Sequence, residues 1–247
     1  MKSRTVALVA VFAALYSVLS LLLSDVPCIG IPEVTIDLGA AFASISGAVL
    51  GPYAGGLAAL IGTLIAYAWG GGGLAGLPFI LCPAMNAITV GLMFRKKFVA
   101  AAAVMAALVV SFWFTPVAQP VGEHWVVGLA ATFDKMIALA LIAPTAWMMK
   151  RSGALPGEGG RVKVSALTFA QLFVVAFIGN EADNALGNTV FALPIVFNGV
   201  YGLMLKNVRM LFVASPFVYP AVRVIQALLA AVMGLPLMKA LEAGGWL

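Results

Sequence analysis

Charged residues are scarce in this sequence. Only 9% of its 247 residues are Asp, Glu, Lys or Arg, and 63% are hydrophobic, whereas an ordinary soluble domain carries about 25% charged residues. A soluble globule of this length needs a polar surface that the composition cannot supply. The deficit excludes a water-soluble fold and indicates an integral membrane protein. The 26 glycines agree, because small residues are frequent where transmembrane helices pack closely.

Catalytic motifs are also missing. One histidine cannot supply the His-Glu-x-x-His pair of a zinc protease, and residues 44–47 lack the first glycine of the Gly-x-Ser-Gly motif of rhomboid-type proteases. We therefore predict that the chain is not an enzyme. No Gly-x-x-x-x-Gly-Lys-[Ser/Thr] loop is present, so any ATP-driven role requires a partner. For the two cysteines, Cys28 and Cys82, free thiols are favoured over a disulfide.

Basic residues occur at every second boundary between apolar segments. Ten of the fourteen lie there: Lys2, Arg4, Arg95, Lys96, Lys97, Lys150, Arg151, Arg161, Lys163 and Lys239. Cytoplasmic loops of membrane proteins carry an excess of Lys and Arg, so this pattern places the N-terminus and the short loop 150–163 in the cytoplasm. Most acidic residues map to the outer side or near it: Asp25, Glu33, Asp37, Glu123, Asp134, Glu181 and Asp183.

Eight apolar segments, bounded by Gly, Pro or charged residues, are candidates for membrane helices. They cover residues 6–23, 38–50, 53–68, 78–94, 98–114, 126–149, 164–179 and 220–241. The second and third are short and meet at Gly51-Pro52, which fits either a tilted pair of helices or a broken, partly re-entrant hairpin. We predict one all-α domain over residues 1–247, a polytopic transmembrane bundle of about six to eight helices in the cell membrane.

Residues 190–215 interrupt this pattern. The stretch is apolar but contains Pro194, Asn198, Lys206 and Arg209, which are costly in contact with lipid. We interpret it as an excursion at the outer face between the last two helices, because that topology returns Lys239 to the cytoplasm. The alternative is one more span, which would place the C-terminus outside.

Polar residues in or near the outer half of these segments are candidates for a substrate site, because ionisable groups in a membrane usually serve function or pairing. The set is Glu33, Asp37, Asn86, Asp134, Glu181, Asp183, Asn184, Asn188, Arg223 and Gln226. For Asn86, a ligand contact and an interhelical hydrogen bond are equally favoured.

The densest polar stretch covers residues 180–188. At 3.6 residues per turn, Asn180, Asn184 and Asn188 form one stripe, which Glu181 and Asp183 flank. Such carboxylates and amides suit a cation or a hydrogen-bonding substrate. A solvated outer loop is the competing interpretation.

Two further polar pairs lie in predicted helices. Arg223 and Gln226 are three residues apart and share one face of the last helix, where Arg223 can neutralise Asp183 or Asp134, or bind a carboxylate or phosphate of a ligand. Asp134 and Lys135 are adjacent and point about 100° apart on a helix. We therefore expect each of these two to pair with another segment or with ligand rather than with its neighbour.

Small residues recur at four-residue spacing, which lets helices pack backbone to backbone. Gly47, Gly51 and Gly55 form one such ridge, and we interpret it as internal packing of the bundle. Ala10 and Ala14 form another. For these two alanines, internal packing and an exposed docking face stay open.

A series of motifs follows in order along the N-terminal part of the chain. It consists of Ala-x-x-x-Ala at residues 10–14, Ile-Asp-Leu-Gly at 36–39, the glycine hinge at 50–55 with the apolar run 60–65, and Gly-Leu-Met-Phe-Arg-Lys-Lys at 91–97. This series resembles the substrate-binding S subunit of energy-coupling factor (ECF) vitamin transporters. The resemblance covers residues 5–97, and the last helix, 216–241, is similar as well. Two extra apolar elements between residues 98 and 215 depart from the family's six-helix bundle.

The resemblance implies a substrate-capturing membrane subunit of an ECF-type importer. Ala10 and Ala14 would dock against a transmembrane coupling subunit, and two ATPase subunits would use ATP, while this chain would hold no cofactor. A small water-soluble vitamin or related metabolite would bind at the outer face, covered by the loop 27–37 that carries Glu33 and Asp37. The substrate itself stays open, since riboflavin, thiamine and biotin are all compatible.

A different class of function competes with this interpretation. In a self-sufficient secondary transporter, Asp134, Glu181 or Asp183 would carry a proton or Na⁺. A membrane enzyme without a known motif is the third and least favoured hypothesis.

Overall fold

A computed structural model describes residues 3–23, 26–28, 31–70, 73–154 and 164–246, with side chains everywhere except at 26–28 and 31–36. Its elements in chain order are α1 (Ser3–Leu23), β1 (Val26–Cys28), β2 (Ile31–Ile36), α2 (Ala41–Leu50), α3 (Pro52–Trp69), α4 (Cys82–Phe94), α5 (Phe98–Trp113), α6 (Val121–Ser152), α7 (Phe169–Phe191), α8 (Pro194–Phe197), α9 (Leu205–Ala214) and α10 (Tyr219–Ala243). Single-turn 3-10 helices precede α2, α4, α7 and α10.

The predicted all-α membrane bundle is confirmed. Within the described ranges, five stretches are long and apolar enough to cross a membrane: Ser3–Leu23, Pro52–Trp69, Leu77–Phe94, Val121–Ser152 and Tyr219–Ala243. The segment Leu38–Leu50 and α5 are apolar but shorter. The chain is therefore a multi-pass membrane protein. The antiparallel β1–β2 hairpin, in which Val26 pairs with Ile36, is an element that the sequence did not predict.

Basic residues gather at one end of the bundle. There the Arg4 guanidinium at the start of α1 lies 4.6 Å from the ring centroid of Trp246, just beyond α10. The Val164 N–H before α7 donates to Glu242 Oε1 in α10 (3.3 Å), so α7 begins at this end as well. We call this the basic end, formed by Arg4, Arg95, Lys96, Lys97, Lys150, Arg151 and Lys239. The excess of cations predicts that the basic end is cytoplasmic. We call the opposite end of the bundle the outer end.

Small residues bring the first four helices into close contact. Ser17 Oγ of α1 donates to the carbonyl of Gly62 in α3 (2.9 Å), and a Cβ added at Gly62 would lie 2.8 Å from the Ala13 carbonyl oxygen. In the same way, a Cβ at Gly47 of α2 would lie 2.2 Å from the Ala87 carbonyl oxygen of α4. The interpretation of the glycine ridge as internal packing is confirmed, and α2 is buried along nearly its whole length.

The chain reverses between α2 and α3 at Gly51-Pro52. Gly51 has φ of +82°, which glycine adopts without steric strain, and Pro52 occupies the first position of α3, where its missing N–H removes no hydrogen bond. With 10 residues, α2 is about 15 Å long, half of the roughly 30 Å hydrocarbon core. The two alternatives for this pair, tilted helices or a broken hairpin, stay predictions.

The seventh helix is longer than predicted. The predicted segment 164–179 is wrong at both ends, because α7 runs Phe169–Phe191. A capping box fixes its start: Thr168 Oγ1 accepts from the Gln171 N–H, and Gln171 Oε1 accepts from the Thr168 N–H. The helix continues through residues 180–188 because polar groups on neighbouring helices face them. A solvated outer loop is therefore the wrong interpretation of that stretch.

The segment after α7 packs against the α5–α6 connection. Arg209 of α9 donates to the carbonyls of Val117 (3.1 Å), Pro116 (3.1 Å) and Gln119 (2.7 Å). With 10 residues, α9 is about 15 Å long, too short to cross a bilayer core of about 30 Å. The segment thus connects α7 to α10 at the outer end of the bundle.

Candidate functional site

Among the described residues, α7 contributes more buried polar side chains to the interior than any other helix. This helix packs against α2, α4, α5, α6 and α10. Asn180, Glu181, Asp183 and Asn184 are each at most 8% exposed. Because successive residues turn about 100° around a helix, they meet different neighbours. The interior polar residues form three groups, described in turn.

The amide group consists of Ser44, Asn86 and Asn180 and joins α2, α4 and α7. Asn86 Nδ2 donates to Asn180 Oδ1 (2.8 Å) and to the Ala40 carbonyl (3.3 Å), while Asn86 Oδ1 accepts from Ser44 Oγ (2.8 Å). Gly179 gives the amide room, because a Cβ there would lie 2.4 Å from Asn86 Oδ1. The geometry favours an interhelical hydrogen-bonding role for Asn86.

The ion group consists of Asp134, Lys135, Glu181 and Asn184, near the middles of α6 and α7. Lys135 Nζ lies 2.8 Å from Asp134 Oδ1 and 3.8 Å from Glu181 Oε2, and the three side chains are at most 5% exposed. Asn184 Nδ2 also approaches Glu181 Oε2 (3.5 Å). The expectation that Asp134 and Lys135 do not pair with each other is wrong. The long lysine side chain folds back onto its neighbour because a buried ammonium needs close partners.

The mouth group lies nearer the outer end and consists of Tyr16, Ser20, Asp37, Asp183, Arg223 and Gln226. Arg223 Nη1 lies 4.0 Å from Asp183 Oδ1 and donates to Gln226 Oε1 (2.8 Å). Gln226 Nε2 donates to the Asp37 carbonyl (2.7 Å). These contacts tie α7 and α10 to the residue that follows the β hairpin. Asp183, not Asp134, is the acidic partner of Arg223.

The Asp37 carboxylate holds the start of the α2 segment against α1. It accepts hydrogen bonds from Ser20 Oγ (2.6 Å), Tyr16 Oη (3.1 Å) and the Gly39 N–H (2.6 Å). Burial raises the pKa of Asp37 above its ordinary value, against the lowering effect of these hydrogen bonds. Asp37 thus has three partners within the protein and acts first as an anchor for the mouth group.

Four buried polar atoms lack a hydrogen-bond partner among the described residues: Thr89 Oγ1, Asn180 Nδ2, Glu181 Oε1 and Arg223 Nε. A buried polar group without a partner costs about 1–3 kcal/mol. Asn180 Nδ2 and Arg223 Nε are donors, and an ionised Glu181 Oε1 is an acceptor. Three of the four atoms therefore offer hydrogen bonds of both kinds to a polar ligand.

The remaining candidates are placed as follows. Asn188 Nδ2 donates to the Ala131 carbonyl of α6 (3.0 Å), so its amide already bridges two helices. Glu33 belongs to β2, and its side chain lies outside the described residues, as does that of Cys28. Cys82 is a buried free thiol.

The two small-residue faces of α1 have different surroundings. Ala13 and Ser17 are buried against α3, whereas Ala10 and Ala14 are exposed on the outside of the bundle. Internal packing therefore does not explain Ala10 and Ala14. Their exposure leaves this face accessible to another membrane helix.

Sequence reasoning missed several members of the groups. Tyr16 and Ser20 contact Asp37, and Ser44 contacts Asn86, but none of the three was a candidate. A signal for the first two was present, because Tyr16 and Ser20 are polar groups four residues apart in a largely apolar helix. Lys135 was considered only as a possible partner of Asp134 and was not a candidate site residue, although a buried lysine is rare enough to mark a site by itself.

Comparison with known proteins gives one match. A family model described as "ECF-type riboflavin transporter, S component" matches residues 1–146, more than half of the chain. No curated protein and no solved structure matches. The matched range contains α1 to α5 and most of α6, whereas α7 and α10 follow it.

Proposed function

The chain belongs to the family of ECF-type riboflavin transporter S components, and from this premise we propose that it captures riboflavin or a related flavin at the outer side of the cell membrane for import. Members of this family are substrate-capturing membrane subunits of transporters, not enzymes.

The unpartnered polar atoms in the interior support the location of the site. Asn180 Nδ2, Glu181 Oε1 and Arg223 Nε are buried without partners among the described residues. They belong to α7 and α10, which converge where Arg223 approaches Asp183 (4.0 Å). A flavin supplies ring carbonyls as acceptors and an imide N–H and hydroxyls as donors, which match these atoms in kind. These unpartnered atoms are the observation on which the assignment rests.

The mouth group supplies a closure for such a site. The Gln226–Asp37 hydrogen bond (2.7 Å) links α10 to the end of the β hairpin. A ligand held by Arg223 would lie close to that link, since Arg223 donates to Gln226. The segment 26–37 between α1 and α2 would then cover the bound ligand.

Binding of a flavin to the purified chain tests the proposal directly. We expect native mass spectrometry to show a bound flavin, and flavin fluorescence to be quenched on titration with the protein. Glu181→Gln should weaken binding about tenfold or more, since a hydrogen bond to a charged group contributes about 1.5–3 kcal/mol. Glu123→Gln is the matched control, because that side chain is 74% exposed at the start of α6. A chain that binds no flavin would overturn the proposal.

The exposed face of α1 is proposed as the docking surface for the coupling subunit. Ala10→Trp and Ala14→Trp should abolish flavin uptake by the assembled transporter while flavin binding by the isolated chain stays unchanged. Ile137→Trp is the control, since Ile137 is 51% exposed on α6. Loss of uptake in the control, or normal uptake in both alanine variants, would contradict this assignment.

The ion group favours a second candidate function. Asp134, Lys135 and Glu181 form a buried charge cluster of the kind that carries protons or Na⁺ in secondary transporters. Liposomes that contain only this chain distinguish the two hypotheses. We expect no flavin uptake driven by a proton or Na⁺ gradient; uptake under either gradient would replace the ECF assignment with secondary transport.

A further inference from the structure

A groove opens at the basic end of the bundle, far from the polar interior. Its volume is about 500 Å³, within the range of about 300–1,000 Å³ typical of ligand sites. It is lined by Leu50, Pro52, Tyr53, Ala54, Arg95 and Lys97. The lining combines an apolar floor at the α2–α3 reversal with two cations that follow α4.

Backbone geometry places the two cations on this floor. A Cβ at Gly91 of α4 would lie 2.4 Å from the Pro52 nitrogen, so α4 crosses the reversal in direct backbone contact. The Arg95 side chain then lies over Gly51, where a Cβ would come within 2.9 Å of Arg95 Nε. After Arg95 the chain turns sharply at Lys96 (φ +60°) and leads directly into Lys97, the second cation of the groove.

The chemistry of the lining fits an amphipathic anion. An arginine fork binds two oxygens of a phosphate at once, and a nearby lysine adds a second positive charge. Leu50, Pro52 and Ala54 would gain nothing from a free phosphate ion but can bury apolar parts of a larger molecule. The side chain of Tyr53 is 81% exposed at the edge of the groove, and tyrosine favours the headgroup level of a membrane.

The surroundings of the groove also favour an anion from the membrane. In the described part of the chain, the basic end carries seven Lys and Arg residues, and Glu242 is its only acidic residue. The Glu242 carboxylate accepts from the Val164 N–H. A cytoplasmic leaflet rich in anionic lipid attracts such a surface, with about 1 kcal/mol for each nearby cation.

We propose that this groove binds the phosphate headgroup of an anionic phospholipid, with Arg95 and Lys97 on the phosphate and the apolar floor under the glycerol and upper acyl chain. The lipid would fix the α2–α3 reversal against the end of α4. The site is independent of flavin capture, because it shares no residue with the three polar groups of the interior.

Native mass spectrometry with added lipids tests the site. The purified chain is mixed with phosphatidylglycerol or phosphatidylcholine of the same acyl chains, and retained lipid is measured. We expect selective retention of phosphatidylglycerol, reduced about thirtyfold or more in Arg95→Gln/Lys97→Gln, since each substitution removes a hydrogen bond from a cation to the phosphate. Lys150→Gln/Arg151→Gln removes the same charge from the same end but no contact within the groove, so retention should fall by a clearly smaller factor. Inorganic phosphate in excess should displace little of the lipid.

A second variant keeps the test independent of charge and folding. Ala54→Phe fills the groove without a change of charge and should also reduce retention, while circular dichroism shows the helical content of each variant. Equal retention of the two lipids, or equal losses in both double variants, would overturn the proposal in favour of diffuse surface attraction. Displacement of the lipid by phosphate alone would show a simple anion site. If Ala54→Phe retains the lipid but no longer assembles with its partner subunits, the groove is a protein interface and not a lipid site.

Discussion

The amide group and the ion group lie beside each other on α7, but their hydrogen bonding differs. Asn86 closes the amide group with two donated bonds and one accepted bond between helices. In the ion group, Glu181 keeps one carboxylate oxygen buried without a partner among the described residues. Buried polar side chains at one level of the bundle thus serve two purposes: Asn86 holds helices together through its paired amide, whereas Glu181 Oε1, like Asn180 Nδ2, leaves a buried atom available for a ligand.

The largest expected effect comes from removal of the lysine in the ion group. Lys135→Met leaves Asp134 and Glu181 buried without their cation, and loss of one partner of a buried ion pair costs about 3–5 kcal/mol. The free energy of unfolding, measured by denaturation in mixed detergent micelles, should fall by that amount. Lys150→Met at the basic end is the control and should change it little. An unchanged free energy in Lys135→Met would mean that the ion group does not hold α6 to α7.

A smaller loss of stability is expected in the amide group. Asn86→Leu removes partners from Ser44, Asn180 and the Ala40 carbonyl, and interhelical hydrogen bonds in membranes contribute about 0.6–2 kcal/mol each. The free energy of unfolding should fall by about 3 kcal/mol, with flavin affinity preserved in the folded fraction. Asn198→Leu, at an exposed asparagine, is the control. A folded Asn86→Leu protein that has lost flavin affinity would place Asn86 in the binding site, so that Asn86 and Glu181 would no longer differ in role.

A change in binding without a change in folding is expected at the mouth group. Arg223→Lys keeps a charge near Asp183 but removes the Nε donor, so flavin affinity should fall about tenfold, as the loss of one hydrogen bond to a charged group predicts. The free energy of unfolding should change less than the free energy of flavin binding, because the lysine keeps a cation beside the buried Asp183. Arg151→Lys at the basic end supplies the same substitution away from the ligand. If both variants bind flavin like the parent, Arg223 Nε does not contact the ligand.

The smallest effect is expected at Thr89 of α4, whose hydroxyl is buried and has no hydrogen-bond partner in the part of the chain that the structure describes. Thr89→Val keeps the shape and removes a polar group that has no partner, so stability should be unchanged or slightly higher, within about 1 kcal/mol. Flavin affinity should also be unchanged, because Thr89 lies one turn further from the outer end than Asn86. A loss of flavin affinity in Thr89→Val would extend the ligand site to Thr89.

The sequence predicts the helix bounds well where hydropathy alone determines them. Helices α1, α3 and α5 begin and end within three residues of the predicted bounds, because lipid tolerates only long apolar segments with paired backbones. Hydropathy also explains why the end of α7 was missed, since it places polar residues outside the membrane. Residues 180–188 are too polar to face lipid, and one sequence does not show that other helices supply partners for them.

The candidate site was predictable in its members but not in its pairings. Asp37, Asp183, Arg223 and Gln226 are polar residues in apolar segments, and the structure brings them together. The contact between Asp134 and Lys135 was missed because helical spacing describes where Cβ atoms point, whereas a lysine side chain reaches back over its own helix. Helical spacing also does not tell which face of α1 is exposed, since Ala10 and Ala14 alternate with the equally small Ala13 and Ser17.

The polarity of α7 has a consequence for how the chain enters the membrane. This helix is not among those apolar enough to cross a bilayer by composition, so we do not expect it to leave the translocon for lipid as a single helix. Its partner in the ion group, Lys135, belongs to α6, which is synthesised immediately before it. We expect the two helices to insert as one hairpin, with Lys135 and Glu181 already paired, so that biogenesis of the protein depends on the same residues as its interior.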